Sequence, residues 1–427
     1  MKIAIQTLGC KVNQSESASI EALLRTSDYE IVDLKDNPDI CIVNTCTVTA
    51  KSDYQSRQLI RRAARGGAKV IATGCYAQLK SDELTKIEGL NLIVGNDGKS
   101  KIVDHVKSIS GSSSSATHVE VDDPVLPLSY QPYSSSRARA FLKIQDGCNF
   151  FCSYCTVPLA RGKSRSMDRE GVLKSIDNLV NSGYREIVLT GIHTGSYGSD
   201  LESKSSLLDM VTEIADTFKD VRLRLSSLEP QEFKDGFIAL IKEGRVCPHL
   251  HIPLQSGSDN ILKVMNRGYT TDYYKQVINR IITDYPSISV GTDIIAGFPG
   301  ETDKDFNDTV KFLEELPLSY LHVFPYSKRP LTKAAHMSDQ INEHVKKNRV
   351  KKLIEISKRM KKVYILNSIG TIVNVIIESK TANNGLYSAI SDNYLRILVE
   401  TTSLIAGHDL KVKVISLTDK GLIAIPH

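Results

Sequence analysis

Short apolar segments alternate with amphipathic segments along the first 110 residues. The apolar runs are KIAIQTL (2–8), DICIVNT (39–45), KVIATG (69–74) and NLIVGN (91–96), and helix-like stretches such as SESASIEALLRT and SRQLIRRAARG separate them. Alternating β and α segments of this length are typical of a parallel sheet covered by helices. The pattern predicts an N-terminal α/β domain over residues 1–110.

A second alternating series follows a stretch rich in serine and proline. Residues 111–137 contain SSSS and DDPVLPLSYQPYSSS without apolar periodicity, which predicts a linker. Six apolar runs come after it: FLKIQ (141–145), EIVLTG (186–191), RLRLSS (222–227), HLHIPL (249–254), SVGTDIIAGF (289–298) and YLHVFPY (320–326). Six βα units predict a partial barrel, with its chemistry at the C-terminal ends of the strands.

The last part of the chain changes from a charged helix to a β pattern. A helix is expected from about residue 339 to 366, with nine basic residues and one acid, Glu355, between Lys346 and Lys362. It is either a solvated face or a contact for nucleic-acid phosphates. Residues 368–427 read as a small β barrel with five basic and five acidic residues. Because this module is neutral, Tyr387 and Tyr394 are its candidates for stacking on RNA bases.

Composition narrows the class of protein. The chain has 427 residues, of which 24% are charged and 41% hydrophobic, as expected for a globular protein of several domains. No run approaches the roughly 20 apolar residues that span a membrane, and the first residues do not resemble a signal peptide. We therefore expect a cytosolic protein, whose eight cysteines favour metal binding or catalysis over disulfides.

Three cysteines each follow one of the first three long apolar runs. Cys10, Cys46 and Cys75, called here the N-terminal triplet, should meet because parallel strands end along one edge of a sheet. Each could instead be a small buried hydrophobe, but their shared position favours a common site. Cys41, inside a strand, and Cys247, before a proline, fit a core or surface role.

Three further cysteines lie within eight residues. The segment CNFFCSYC places Cys148, Cys152 and Cys155, called here the loop triplet, with the spacing C-x3-C-x2-C after the first barrel strand. Three ligands on one loop cannot complete a four-ligand site, so either a fourth protein ligand lies elsewhere or the metal site is left open. The first case would be a zinc site completed by a distant histidine, although structural zinc sites usually have paired ligands.

The loop triplet, with Tyr154 before its last cysteine, resembles the signature of radical S-adenosylmethionine (SAM) enzymes. The N-terminal triplet, the segments GCKVNQSES and HIPLQSGSD, and the C-terminal β module extend a resemblance to the methylthiotransferases over nearly the whole chain. TLGCKVNQ and PYSKRP (325–330) look most like the members that act on threonylcarbamoyladenosine in tRNA.

The predicted fold class is therefore α/β with three parts. These are an N-terminal Rossmann-like parallel sheet (1–110), a partial (β/α)6 radical SAM barrel with a trailing basic helix (138–366), and a small all-β TRAM barrel (367–427). The linker (111–137) separates the first two.

The resemblance implies two [4Fe–4S] clusters and SAM as cofactors. The N-terminal triplet would hold a sulfur-carrying cluster, and the loop triplet a cluster whose open iron takes the amino and carboxylate groups of SAM. One electron then cleaves SAM to methionine and a 5′-deoxyadenosyl radical. The expected partners are the anticodon stem-loop of tRNA and an electron donor such as flavodoxin or ferredoxin. No membrane contact is expected, and the chain would act as a monomer.

Further residues are candidates for ligand contacts. Tyr154 would lie beside the SAM adenine, Gly191 near its methionine, and Gly297 and Gly300 near its adenine. The ribose would be bound by Ser226, Ser227 and Glu229, and Gln255 and Ser256 would face the cavity. Arg161 and Arg165 would bind the SAM carboxylate or RNA phosphate, or lie on the surface. Asn13 and Gln14 would lie beside Cys10 or cap the next helix. The candidate phosphate contacts are Lys351, Lys352, Lys358 and Lys362.

Three functions remain open at this point. The first is methylthiolation at carbon 2 of threonylcarbamoyladenosine, immediately 3′ of the anticodon. The second is the same chemistry on isopentenyladenosine or on a ribosomal-protein aspartate, although enzymes of those kinds usually read GCQMN and GCPKN where this chain reads GCKVN. The third is a non-catalytic RNA-binding protein with a structural metal.

Overall fold

The first part of the chain forms a parallel sheet. The computed structural model describes residues 1–111, 117–121, 138–381, 385–401, 407 and 409–427. The strands of this sheet are β1 (Lys2–Thr7), β2 (Glu30–Ile31), β3 (Ile40–Thr45), β4 (Lys69–Gly74), β5 (Leu90–Val94) and β6 (His118–Glu120). They lie in the order β2-β1-β3-β4-β5-β6. Every residue of β3 is buried, as expected for a central strand with both faces covered.

Two strands of this sheet were not expected from the sequence. β2 has two residues and β6 has three, and β6 lies within the span 111–137 that reads as a linker. All three residues of β6 are exposed, so they carry no apolar pattern. Apart from residues 117–121, most of the expected linker lies outside the described residues.

Helices connect the strands of this sheet and begin beside two of the cysteines. They are α1 (Lys11–Arg25), α2 (Ala50–Arg65), α3 (Cys75–Leu79), α4 (Ser81–Leu84) and α5 (Ile102–Gly111). Cys10 is the residue that precedes α1, and Cys75 is the first residue of α3. Backbone N–H groups and the positive end of the helix dipole favour a thiolate at such positions.

The second part is the expected partial barrel. Its main strands are all parallel: β7 (Arg139–Lys143), β10 (Glu186–Thr190), β11 (Arg222–Leu225), β12 (His249–His251), β13 (Ser289–Ala296) and β14 (Tyr320–Pro325). A short antiparallel pair, β8 (Gln145–Asp146) and β9 (Arg165–Ser166), flanks the cysteine loop. Single bridges such as Ser227 to His251 join the two three-stranded halves.

Helices cover the outside of the barrel. They are α7 (Arg169–Asn181), α8 (Leu207–Thr217), α9 (Asp235–Lys242), α10 (Asp259–Val264), α11 (Thr271–Asp284), α12 (Asp303–Glu315) and α13 (Glu343–Ser368), while the short α6 (Val157–Arg161) packs against α3 of the N-terminal part. The strands alternate strictly: Leu223 and Leu225 of β11 join the outer core, so Arg222 and Arg224 point inward. The barrel interior is therefore polar. The basic helix α13 begins at Glu343 because the side chain of Asn342 caps it.

The third part is a closed barrel of five strands. These are β15 (Ile372–Lys380), β16 (Leu386–Ser391), β17 (Arg396–Glu400), β18 (Asp409–Thr418) and β19 (Gly421–Pro426), in the order β15-β16-β17-β19-β18. Alternate residues of these strands fill the interior, among them Val375, Val399 and Val414. Closure leaves no unpaired edge on which another strand could pair.

A buried ion cluster fixes the five-stranded barrel to the larger one. Glu186 has no exposed surface, and its carboxylate accepts from Nε of Arg224 (2.8 Å) and Nε of Arg222 (2.7 Å). Arg139 lies 3.6 Å away. Arg224 also donates to the carbonyl oxygens of the small barrel at Ser391 (3.0 Å) and at its neighbour 392 (2.9 Å). Burial alone would raise the pKa of Glu186, but Arg224 and Arg222 hold it at about 2.

The two tyrosines expected to stack on RNA have other roles. Tyr387 is buried in the core of the small barrel. Tyr394 stacks on His249 with ring centroids 4.1 Å apart, and the guanidinium of Arg224 lies 5.2 Å from its ring. The expectation that these rings are available to RNA bases is therefore wrong, because both are used in packing.

Replacing Glu186→Gln is expected to loosen the contact between the two barrels. It leaves Arg224 and Arg222 buried without a carboxylate, and breaking a buried ion pair costs about 3 to 5 kcal/mol. The measurement is the shift of the urea midpoint under anaerobic conditions. The matched control is Asp308→Asn, which removes an exposed pair with Lys304 worth about 0.5 kcal/mol or less. Equal midpoints for the two variants would contradict the role given to Glu186.

Candidate active site

The structure brings the N-terminal triplet together at one edge of the sheet, as the sequence predicted. Cys10, Cys46 and Cys75 follow β1, β3 and β4, which are neighbours in the sheet. Gly9 has a φ of +101°, and a Cβ there would lie 2.9 Å from Sγ of Cys46. Only glycine lets the loop carrying Cys10 approach Cys46 this closely.

The thiols of this triplet are close enough to affect one another's ionisation. Burial, together with smaller contributions from the neighbouring Cys75 and Cys10, raises the pKa of Cys46 to about 11. Cys10 is solvent-accessible, but protein surrounds its sulfur on most sides and this enclosure raises its pKa as well. Three thiolates are therefore unfavourable together unless a positively charged group binds between them.

Backbone N–H groups point at the sulfurs of the loop triplet. The N–H of Phe150 donates to Sγ of Cys148 (3.5 Å), and the N–H of Val157 donates to Sγ of Cys155 (3.4 Å). Burial, together with smaller contributions from the thiols of Cys152 and Cys148, raises the pKa of Cys155 to about 12. The loop thus presents three sulfurs that repel each other as thiolates, which again suits a bound cation.

The separations of the sulfurs fit a cluster better than a single zinc ion. Zinc–sulfur bonds of about 2.3 Å in a tetrahedron place neighbouring sulfurs about 4 Å apart. Among the described residues, the only three metal-ligating groups within 4.8 Å of one another are His251, Asp293 and His322. Each triplet therefore has at least one pair of sulfurs more than 4.8 Å apart, which suits a cluster of several irons better than one zinc ion, so the residues present fit [4Fe–4S] clusters.

Two polar side chains beside the loop triplet were missed at the sequence level. Arg267 donates to Sγ of Cys152 (3.2 Å) and also pairs with Glu229. His193 hydrogen-bonds to Cys148 and pairs with Glu232. Glu229, expected to bind ribose, pairs with Arg267 through one carboxylate oxygen. Nothing in the local sequence indicates these contacts, because each partner comes from a different strand end.

A fully buried arginine joins the two cysteine sites. Arg161 follows the loop triplet and has no exposed surface. Its guanidinium donates to Glu16 (2.8 Å), to both oxygens of Asp146 (3.0 Å), to Asn13 (2.8 Å) and to Sγ of Cys75 (3.3 Å).

These contacts correct the expectation that Arg161 or Arg165 binds a ligand or lies on the surface. Both are used inside the protein, since Arg165 pairs with Asp97 (3.4 Å) and Asp146 (3.7 Å). The side-chain amide of Asn13 donates to the carbonyl oxygens of Leu8 (2.7 Å) and Thr45 (3.0 Å), so it links the loops of Cys10 and Cys46.

A second arginine clamps the loop that follows Cys46. Arg329, in the segment PYSKRP, donates to Thr47 (2.6 Å) and Asp53 (2.7 Å), and it is 4% exposed. The hydroxyl of Ser327 accepts from the backbone N–H of Ala50 (3.0 Å). The barrel thus holds the N-terminal sheet at both Cys75 and Cys46.

One cavity of about 220 Å³ is lined by residues from the loops of both cysteine sites. Val48 and Thr49 line it from the loop after Cys46, and Tyr154 lines it from within the loop triplet. Gln255 and Asp293 form part of the barrel wall. Side chains next to both triplets therefore face the same space.

The serines expected to bind SAM or to face the cavity lie in different surroundings. Ser226 is buried and hydrogen-bonds to Thr194 (2.8 Å), while Ser227 is exposed. Ser256 does not face the cavity, because its hydroxyl lies against Thr309 (3.4 Å) and accepts from the N–H of Ser258 (3.2 Å).

The glycines are explained by packing between protein segments. A Cβ at Gly191 would lie 2.8 Å from the side chain of Gln145, and one at Gly297, where φ is +72°, would lie 2.1 Å from Lys346 of α13. Gly300 also has a positive φ, of +82°, and a Cβ there would have no neighbour within 4 Å. Contacts with protein thus account for Gly191 and Gly297.

The four lysines expected to contact RNA are exposed on α13. The buried side of that helix carries Leu353 and Ile356, so Lys351, Lys358 and Lys362 lie on the opposite face and Lys352 beside it. Two other basic residues of the helix are structural: Arg349 pairs with Glu301 (2.6 Å), and Lys346 is buried.

Comparison with known proteins identifies the class and then the family. The Radical SAM superfamily model matches residues 142–313, and the model described as Uncharacterized protein family UPF0004 matches residues 2–95. The radical SAM methyltransferase TsrM from Kitasatospora setae, solved with cobalamin and a [4Fe–4S] cluster, has a TM-score of 0.58 at 17% identity, covering 78% of this chain and 77% of that one. At this identity the likeness shows the fold alone. The barrel is thus that of a radical SAM enzyme, a class that uses a [4Fe–4S] cluster and SAM.

Sequence relatives narrow the class. The chain is 38% identical to "Threonylcarbamoyladenosine tRNA methylthiotransferase MtaB" of Bacillus subtilis, over 97% of this chain and 93% of that protein. It is 37% identical to the protein of the same name in Aquifex aeolicus, over 93% and 96%. The "tRNA-2-methylthio-N(6)-dimethylallyladenosine synthase" of Fusobacterium nucleatum is 34% identical over 90% and 89%. The chain belongs to the tRNA methylthiotransferase family of radical SAM enzymes.

In the part of the chain that the structure describes, every helix is too short or too polar to cross a lipid bilayer.

Removing one cysteine from either triplet alone is expected to halve the iron content. Two [4Fe–4S] clusters hold about eight irons, so Cys46→Ala and Cys152→Ala should each retain about four. Iron and acid-labile sulfide are assayed after anaerobic reconstitution, with Cys41→Ala as the control cysteine. About eight irons in Cys46→Ala, or zinc in place of iron, would contradict the assignment.

Proposed function

We propose that this protein inserts sulfur and a methyl group at carbon 2 of threonylcarbamoyladenosine, immediately 3′ of the tRNA anticodon, to give the 2-methylthio derivative. The observation that carries the proposal is the single cavity lined by Thr49, beside Cys46, and by Tyr154, beside Cys155. A reaction that needs both a radical and a sulfur donor requires two sites that face one substrate. The names of the relatives from Bacillus subtilis and Aquifex aeolicus support the substrate.

Each triplet is proposed to hold one [4Fe–4S] cluster, with the SAM-binding cluster on the loop triplet. When bound, that cluster supplies the electron that cleaves SAM and so gives the radical needed to activate an unreactive ring carbon. The chain's own residues bind and orient. Phe150 and Val157 donate backbone hydrogen bonds to the sulfurs, and Arg267 offsets the negative charge at Cys152.

The protein also encloses the reaction. Tyr154 packs edge-on against Phe298, with ring centroids 6.4 Å apart, and forms an apolar wall beside the loop triplet. We assign Tyr154, Gln255 and the strand-end residues Ser226, Ser227 and Glu229 to the surroundings of SAM, with Gly191 and Gly297 shaping the same rim. Excluding water protects a reactive intermediate from side reactions.

Each part of the chain is proposed to form a domain with its own role. Residues 1–110 form a Rossmann-like cluster domain, 138–366 the radical SAM domain with its basic helix, and 367–427 a TRAM domain. The tRNA would be bound through its anticodon stem-loop by a monomer in the cytoplasm, where tRNA is modified. Flavodoxin or ferredoxin would supply the electron.

Cys46→Ala and Cys152→Ala are expected to separate two activities. Without Cys152 the SAM-reducing site loses a ligand, so formation of 5′-deoxyadenosine should fall to background. Without Cys46 that site is intact, so SAM cleavage should persist while the methylthio nucleoside is lost. Both products are measured anaerobically with dithionite, SAM and tRNA carrying threonylcarbamoyladenosine.

The control for this experiment is Cys41→Ala, a buried cysteine inside β3 that belongs to neither triplet. Normal methylthio product from Cys46→Ala would show that Cys46 only fills the core. 5′-Deoxyadenosine at the parent rate from Cys152→Ala would refute the assignment of the loop triplet.

Neutralising the exposed face of α13 is expected to weaken tRNA binding and flatten its salt dependence. Each lost phosphate contact lowers the slope of log K against log salt by about 0.7 to 0.9. The test variant changes Lys351, Lys352, Lys358 and Lys362 to Gln. The matched control makes the same charge change on outer surfaces of the barrel, at Lys174, Lys219, Lys242 and Lys304. If the two slopes agree, the helix is only a solvated face.

A further inference from the structure

A lysine from the first helix of the N-terminal part extends into the barrel of the second part. Lys11 is the first residue of α1, which packs along β7, where the backbone N–H of Lys143 donates to the hydroxyl of Ser15 (3.1 Å). The side chains with the largest electrostatic effect on its ammonium group are Arg224, Arg139, Glu186 and Asp293. All four lie on barrel strands, so the ammonium group of Lys11 is inside the barrel.

Within the part of the chain that the structure describes, Lys11 has no hydrogen-bond or ion-pair partner. The two carboxylates near it are already engaged. Glu186 is shared by three arginines. Asp293 lies 3.0 Å from Nε2 of His251 and 3.3 Å from Nδ1 of His322. A charge held inside a protein without a counter-ion is costly, so this position suits a group that receives an anion.

The two histidines lie on the same wall as the cavity. His251, Asp293 and His322 face inward from β12, β13 and β14, and Asp293 lines the cavity shared by the loops of the two cysteine sites. The side chain of His322 is 52% exposed. Because a carboxylate only accepts, the nitrogen of each ring that faces Asp293 donates to it, and the second nitrogen donates when the ring is protonated. Asp293 therefore orients two imidazoles beside Lys11 that can each donate to an anion in their protonated form.

The charge balance of this wall favours an anion over a metal cation. These three side chains bring their ligand atoms within 4.8 Å of one another, which alone would suit a divalent ion. The buried neighbour His249 has positive groups around it: burial first, and then the charges of Arg224 and Lys11, hold its pKa well below the usual range. A second positive ion would be repelled here, whereas a carboxylate would be attracted.

We propose that Lys11, with His251 and His322, forms a carboxylate subsite inside the barrel that binds the free carboxylate of the threonyl group on the substrate nucleoside. The inference rests on the proposed function, since that nucleoside carries its threonyl group on N6. Carbon 2 of the adenine would then face the cysteine sites while the substituent extends along the wall formed by Asp293. An apolar N6 substituent would leave Lys11 unpaired, so the subsite selects for the acidic substrate.

The test compares anticodon stem-loop RNAs that differ in one group. Three hairpins carry threonylcarbamoyladenosine as the free acid, the same nucleoside with its carboxylate converted to the amide, or plain adenosine. Equilibrium binding to the reconstituted protein with SAM is measured by fluorescence anisotropy. The wild type should bind the acid about tenfold more tightly than the amide, the scale of one hydrogen bond to a charged group.

The variants then locate the subsite. In Lys11→Gln the acid-to-amide ratio should fall to about one, and Lys11→Arg should restore part of it. His322→Gln should lower the ratio by a smaller factor and guards against misfolding of the first variant. Lys101→Gln, at an exposed position of the N-terminal part, makes the same charge change and should keep the full ratio. A general loss of folding or of RNA affinity weakens binding of the acid and amide hairpins equally. It therefore cancels in the acid-to-amide ratio measured for each variant.

The outcomes separate this inference from the proposed function. If the wild type methylthiolates the acid hairpin but Lys11→Gln keeps the tenfold ratio, the subsite is wrong and the function stands. If the wild type neither modifies the acid hairpin nor prefers it to adenosine, both fail. If Mn²⁺ binds with an affinity that Asp293→Asn and His322→Gln abolish, and the acid-to-amide ratio is unaffected, the wall is a metal site and the proposal is overturned.

Discussion

The buried guanidinium of Arg161 is the interaction on which the arrangement of this protein depends. It has no exposed surface and contacts Glu16 and Asn13 from the N-terminal sheet, Asp146 from the barrel, and the sulfur of Cys75. Removing one partner of a buried ion pair leaves an uncompensated charge. The sheet and the barrel therefore cannot shift relative to each other without unpairing Arg161. Their two cysteine sites thus keep a fixed relative position.

This constraint explains how two sites that lie far apart in the sequence come to face one cavity. Arg161 holds the edge of the sheet at Cys75, and Arg329 holds it again through Thr47 and Asp53. Both arginines follow barrel strands in the chain, so loops of the barrel contact the sheet at two separate points. The cavity is lined by residues from the loops of both cysteine sites.

A second buried ion network closes the opposite end of the barrel. Glu186 forms ion pairs with Arg139, Arg222 and Arg224. Arg224 also donates a hydrogen bond to a backbone carbonyl oxygen of the five-stranded barrel. The barrel interior is thus ionic from end to end, with Lys11 between the two networks. A polar interior provides fixed charges that can orient a polar substrate, while the apolar residues of β11 and its neighbours face the covering helices and supply the core.

The sequence alone determined what depends on local pattern and on spacing. Apolar periodicity predicted four strands of the N-terminal sheet, all six barrel strands and a small β barrel at the end of the chain, since burial of one or both faces requires those patterns. The rule that parallel strands end along one edge placed Cys10, Cys46 and Cys75 together, and the resemblance of C-x3-C-x2-C to the radical SAM signature implied an open iron. Only the tertiary structure decided the roles of Arg161, Arg267, Arg329 and Lys11, and the burial of Tyr387. Charged side chains on a single sequence show no sign of burial, because their partners lie on other elements and the ion pairs exist only once the domains have packed.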